Sequence, residues 1–159
     1  VSLQRPVGSD HQLARLLQIG VVLEEVVEAR ADKHASTSPD LDPAVGELLE
    51  HASAESARHR QELEELIAEL DADTVPFDEI QRLVEAQYES DDEFDGVLYD
   101  QLCNEETAYK FYDDLIGAIE NSQTEFSIDR DRLLSTLERI REEEAEGAEE
   151  VTELMEERE

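Results

Sequence analysis

The chain has 159 residues, enough for one domain with a real core, and 44 Asp and Glu against 13 Lys and Arg give it a formal net charge of −31. So acidic a surface excludes nucleic acid and anionic membrane as partners, because phosphate contacts need a basic patch. No apolar run approaches the ~18 residues of a membrane span, and the single cysteine, Cys103, excludes an intramolecular disulfide and a cysteine-based zinc site.

Four long apolar ladders with heptad spacing follow one another along the chain, and such ladders are the inner seams of packed helices. Helix 1 is predicted over about 10–35. Ser9 and Gln12 have capping-box spacing at its start, and its seam reads Leu13, Leu17, Gly20, Glu24, Val27, Ala31, His34. A second stripe on the same helix, Leu16, Ile19, Val22, Leu23 and Val26, is rotated well away from that seam. It must meet either the crossover segment or a second copy, and a homodimer through helix 1 is the expectation. Ser36 to Asp40 is a turn cluster, and Asp42 before Pro43 is an N-cap with proline at the first helical position. Helix 2 is predicted over 43–70, with the seam Val45, Leu49, Ala52, Ser56, His59, Leu63, Leu66, Leu70.

A short helix over about 78–88, with Ile80, Leu83, Val84 and Tyr88 on its apolar side, and an acidic loop, Glu89 to Asp95, are expected next. Helix 3 is predicted over 97–119, with the seam Leu98, Leu102, Glu105, Tyr109, Tyr112, Ile116, Ile119. Tyr109 and Tyr112 read as core residues with hydrogen-bonded hydroxyls. Helix 4, over about 129–157, carries Leu133, Leu137, Ile140, Glu144, Gly147, Val151, Leu154. No strand candidate of useful length is present. The expected class is therefore all-α, a single four-helix-bundle domain over 1–159. Tight links join helix 1 to helix 2 and helix 3 to helix 4, so each pair is antiparallel. A helix of about 25 residues is about 38 Å long, and the stretch 71–96 can cross that length and leave helices 2 and 3 parallel.

Each seam is broken near its middle by polar residues: Glu24, Ser56 with His59, Glu105, and Glu144. Antiparallel pairing puts these breaks at one level. A carboxylate there must be paired, protonated or metal-bound, because an isolated buried charge costs too much. Taken singly, a glutamate on a ladder is commonly a solvated residue and a seam histidine a satisfied core residue; the conjunction carries the reading. Oxygen and imidazole donors suit iron or manganese, and also zinc.

Helix 3 reads Glu105-Glu106-Thr107-Ala108-Tyr109-Lys110-Phe111-Tyr112. It is similar to the Glu-x-x-Ala-x-x-x-Tyr segment of the ferritin-like superfamily, in particular rubrerythrin-like and bacterioferritin-like di-iron bundles. The resemblance runs from about Gln12 to Leu154. In that family helices 1 and 3 each give one Glu, and helices 2 and 4 each give Glu-x-x-His. Glu24, His59, Glu105 and Glu144 match; Ala31 stands where a tyrosine is common, Ser56 at a Glu position and Gly147 at a His position. The resemblance implies that Glu24, His59 and a bridging Glu144 serve one metal, and that the second metal keeps only Glu105 and Glu144. Glu55, Glu143 and Glu146 lie off the seam.

The expected function is binding of one metal, iron or manganese, without a mineral core. Two alternatives stand beside it. One is a rubrerythrin-like di-iron peroxidase or ferroxidase. The other is a metal-free structural or interaction module, in which the carboxylates share protons and a hydrogen bond to His59. The lysine-poor, acid-rich balance resembles proteins of halophilic archaea, in which molar salt screens self-repulsion. The polar start, Val1 to Asp10, has no secretory pattern, so a cytoplasmic location is expected.

Overall fold

The computed structural model describes residues 6–37, 41–74, 76, 78–79, 82 and 96–157. Four helices form where the ladders place them: α1 (Asp10–Thr37), α2 (Pro43–Ala68), α3 (Val97–Glu120) and α4 (Arg130–Glu157). No strand occurs among the described residues. The expected short helix over 78–88, with Ile80, Leu83, Val84 and Tyr88, and the acidic loop 89–95 lie outside the described residues or almost entirely so.

Local chemistry sets the helix ends. The Ser9 hydroxyl accepts from the Gln12 amide at 3.1 Å, and the Gln12 side chain accepts from the Gly8 amide at 2.7 Å, so the capping box closes one residue early. Asp42 accepts from the Ala44 amide at 2.8 Å, with Pro43 opening α2. α3 begins at Gly96, whose φ of 119° is a left-handed backbone that favours glycine. Arg130 donates to the carbonyls of Ile119 and Ser122 at 2.6 and 2.8 Å, placing a cation at the negative end of α3.

Contacts between helices fix the topology. Glu28 meets Arg60 while Asp32 meets Ser53, so α1 and α2 run antiparallel. Glu24 meets Tyr112 while His34 meets Asp100, so α1 and α3 are also antiparallel. Glu62 meets Arg139 while Glu69 meets Arg132, which makes α2 and α4 antiparallel. Gly147 faces Glu105 while Arg141 meets Asp113, and the same holds for α3 and α4. α2 and α3 are therefore parallel, as a single long crossover requires.

The core is divided. A large apolar cluster includes Leu17, Leu63, Leu66, Leu115, Ile116, Leu137 and Ile140, and a small one holds Ala31, Val45 and Leu49 with Leu98 and Leu154 packed on it. Between them lies a buried layer of Glu24, Ser56, His59, Glu105 and Glu144. Two expectations change. Tyr109 is 38% exposed, because the seam at that turn passes through Ala108 and Tyr112 instead. The second stripe of α1 is largely covered within one chain: Leu16, Val22 and Leu23 are buried in the large cluster, with Ile19 and Val26 partly buried against it. That stripe no longer argues for a second copy. None of the described helices is long and apolar enough to cross a membrane.

Candidate metal centre

All four expected ligands reach the polar layer, one from each helix. Glu24, His59, Glu105 and Glu144 are between 0 and 4% exposed. His59 sits between two sets of carboxylates. Its Nδ1 lies 3.3 Å from Glu24 Oε1 and 3.1 Å from Glu144 Oε1, and its Nε2 lies 3.2 Å from Glu143 Oε2. Tyr112 donates its hydroxyl to Glu24 Oε1 at 2.6 Å, and Gln101 donates its amide to Glu105 Oε1 at 2.8 Å. Glu143 is further held by Arg58, and by Arg139 at 3.0 Å.

Two glutamates that sit off the seams join this layer. Donor atoms of Glu24, His59 and Glu144 all lie within 4.8 Å of one another, and so do those of Glu55, Glu105 and Glu144 and those of Glu55, His59 and Glu143. Glu55 and Glu143 each precede a seam residue by one position. A glutamate is long enough to bend its carboxyl inward from there. The sequence signal that points to Glu143 is its i−4 neighbour Arg139, which fixes its carboxylate at the rim. Ser56 is buried, as its ladder position implies.

The protonation pattern follows from crowding. Burial, then the charge of Glu24 and the nearby Glu105, push the Glu144 carboxyl well above its usual range. Burial also raises Glu105, against the hydrogen bonds from Glu144 and Gln101. Burial with the charges of Glu105 and Glu143 pushes Glu55 up to about 7, although the nearby His59 lowers it. Burial opposes a charged His59, yet its hydrogen bond to Glu24 and the charges of Glu24 and Glu55 outweigh it, so its pKa is raised. Burial also works against ionised Glu143, but its hydrogen bonds to His59 and Arg139 pull it below the usual range. With no cation present, protons therefore supply the positive charge this layer needs.

Comparison with known proteins returns no match to any family model, curated protein or solved structure. The layer's chemistry must therefore be read from its own atoms.

Those atoms fit a cation. Glu24 Oε2 and Glu105 Oε2 are buried with no hydrogen-bond partner among the described residues. An orphaned buried carboxylate oxygen is costly, and a metal ion is the partner both could share with their neighbours. His59 is suitably held for ligation. Nδ1 faces Glu24 and Glu144 while Nε2 can donate to Glu143, the arrangement in which a carboxylate fixes the tautomer of a metal-bound histidine. Because Arg58 and Arg139 already engage Glu143, it serves better as that orienting group than as a ligand. His11, His34 and His51 belong to none of the donor groups. His34 instead pairs with buried Asp100 at 2.8 Å, beside Arg30 and Asn104. That polar cluster between α1 and α3 went unread in the sequence, because Asp100 and Asn104 lie off the α3 ladder.

Proposed function

We propose that this protein is a ferritin-like four-helix bundle that binds a divalent metal ion in its central polar layer, through Glu24, His59 Nδ1 and Glu144. The observation that carries the reading is the convergence of these three donors, buried and within 4.8 Å of one another, on a layer that holds an unpartnered oxygen of Glu24. Mixed oxygen and imidazole donors favour iron or manganese and accept zinc. The one-crossover topology, and the buried layer to which each helix brings one of Glu24, His59, Glu105 and Glu144, support the ferritin-like assignment. One imidazole stands among the donor groups, which disfavours an oxygen-activating di-iron peroxidase or ferroxidase.

A metal-free structural module is the second reading, favoured by the hydrogen bonds His59 already makes to Glu24, Glu144 and Glu143. The two separate in one experiment. The chain is purified in molar salt, loaded in turn with Fe(II), Mn(II) and Zn(II), and crystallised for anomalous scattering at each metal edge. An ion on Glu24, His59 and Glu144 is the expected result. An empty layer after all three loadings would leave the structural module.

A further inference from the structure

We propose that the buried amides of Gln101 and Asn104 hold ordered water that joins the polar cluster between α1 and α3 to Glu105, making a polar inlet from the protein surface to the central layer. The inference does not depend on a metal in that layer. A wet inlet would reach the metal-free module as well.

The path follows one helix. Asp100, Gln101, Asn104 and Glu105 stand on successive turns of α3, and none is more than 6% exposed. Residues three or four positions apart are neighbours on a helix. At the outer end His34 meets Asp100 at 2.8 Å, and Arg30 donates to Asp100 and Asn104 at 3.4 and 3.2 Å. The side chains of Arg30 and His34 are 20 and 26% exposed, so this end touches solvent. At the inner end Gln101 donates to Glu105 Oε1 at 2.8 Å.

Between the two ends the hydrogen bonds stop. Asn104 Nδ2 and Gln101 Oε1 are both buried with no hydrogen-bond partner among the described residues. Arg30 has donors only, so the Asn104 carbonyl must face it and the NH2 group is left over. Such unmade bonds are costly inside a protein. The two atoms are of complementary kinds, one donor and one acceptor, on adjacent turns. Water fits both, because it accepts from the Asn104 NH2 and donates to the Gln101 carbonyl, and buried water bridges polar groups in this way. A cation is repelled by the NH2 group, and an anion by the carbonyl. The completed file runs from His34 through Asp100, Arg30, Asn104, water and Gln101 to Glu105. It brings solvent to a layer whose Glu24, His59, Glu105 and Glu144 are otherwise sealed from it. For an ion binding there, it is a way out for the waters the ion sheds when protein oxygens replace them.

The test uses the full metal-free chain in molar salt. A crystal structure at atomic resolution is expected to show water within hydrogen-bond distance of both Asn104 Nδ2 and Gln101 Oε1. In solution, NMR reads the exchange of the Gln101 side-chain amide hydrogens with solvent. Leucine is close to asparagine in shape and lacks both polar atoms. Asn104→Leu should therefore expel the water and slow that exchange at least tenfold. The backbone amides of Leu115 and Ile116, in the large apolar cluster, are the control. A variant that is merely destabilised exchanges faster at all these positions, so slowing at Gln101 alone marks a blocked inlet. Exchange at Gln101 that Asn104→Leu leaves unchanged overturns the inlet. If that variant does not fold, the wild type decides. A dry gap between the two amides overturns the proposal, and so do Gln101 hydrogens that exchange no faster than the control amides. None of these outcomes bears on whether the layer binds a metal, which the loading experiment decides separately.

Discussion

His59 and Glu55 set the acid–base behaviour of the metal-free protein. The Glu55 carboxyl rises from an ordinary value of 4.5 to about 7 in the folded chain, and Glu144, Glu105 and His59 are raised as well. The folded state then binds more protons than the unfolded one over that interval. Stability falls as pH rises through it. Glu143, lowered by His59 and Arg139 against its burial, contributes with the opposite sign and loses its share only as pH falls below the ordinary carboxylate range. The melting temperature in chelator should therefore decline between pH 5 and 8, and thermal unfolding across that range measures it. Mn(II) should flatten the decline, because it replaces the protons. A melting temperature independent of pH in chelator would mean that the layer is not charged as described.

At the scale of the elements, α1 packs against both α2 and α3. Gly20 lets it approach α2 and α3: a Cβ there would stand 3.1 Å from Leu63 Cδ1 and 3.2 Å from Phe111 Cε2. Both contacts are side-chain ends that can shift by a few tenths of an ångström. Alanine gains about 1 kcal/mol of helix propensity over glycine, so Gly20→Ala should be close to neutral. Valine adds two more carbons in the same space, and Gly20→Val should cost about 1–3 kcal/mol by overpacking. Chemical denaturation of the two variants checks the contrast. A neutral Gly20→Val would mean that α1 has more room than the packing suggests.

For the whole molecule, a net charge of −31 dominates. Several of the few cations sit between helices. Arg58, Arg132 and Arg139 tie α2 to α4, Arg60 ties α2 to α1, and Arg30 ties α1 to α3. The solvent-exposed ones, such as Arg132 with Glu69, contribute at most about 1 kcal/mol each, too little to offset the repulsion among the remaining carboxylates. Molar salt shortens the screening length to about 3 Å, against about 10 Å at 0.1 M, so it removes the long-range repulsion and spares the contacts. Dialysis into low-salt buffer should therefore cost helical signal in far-UV circular dichroism. Undiminished helicity would show that self-repulsion does not limit this fold.

Helix positions, the antiparallel pairs and the polar layer were legible in the heptad ladders, because period and burial are properties of one helix at a time. The ladder of α2, from Val45 through Ser56 and His59 to Leu66, is buried at each of those positions. Glu24, His59, Glu105 and Glu144 were found by the same rule. Period is silent on what happens across the gap between helices. It placed Tyr109 inside and left Glu55 and Glu143 outside, since a side chain one step off the seam can turn either way. The family resemblance, for its part, implied a missing ligand at Gly147. Only the close packing of α3 on α4 decided that the missing side chain is the room Glu105 occupies, because that depends on the distance between two helices rather than on the sequence of either.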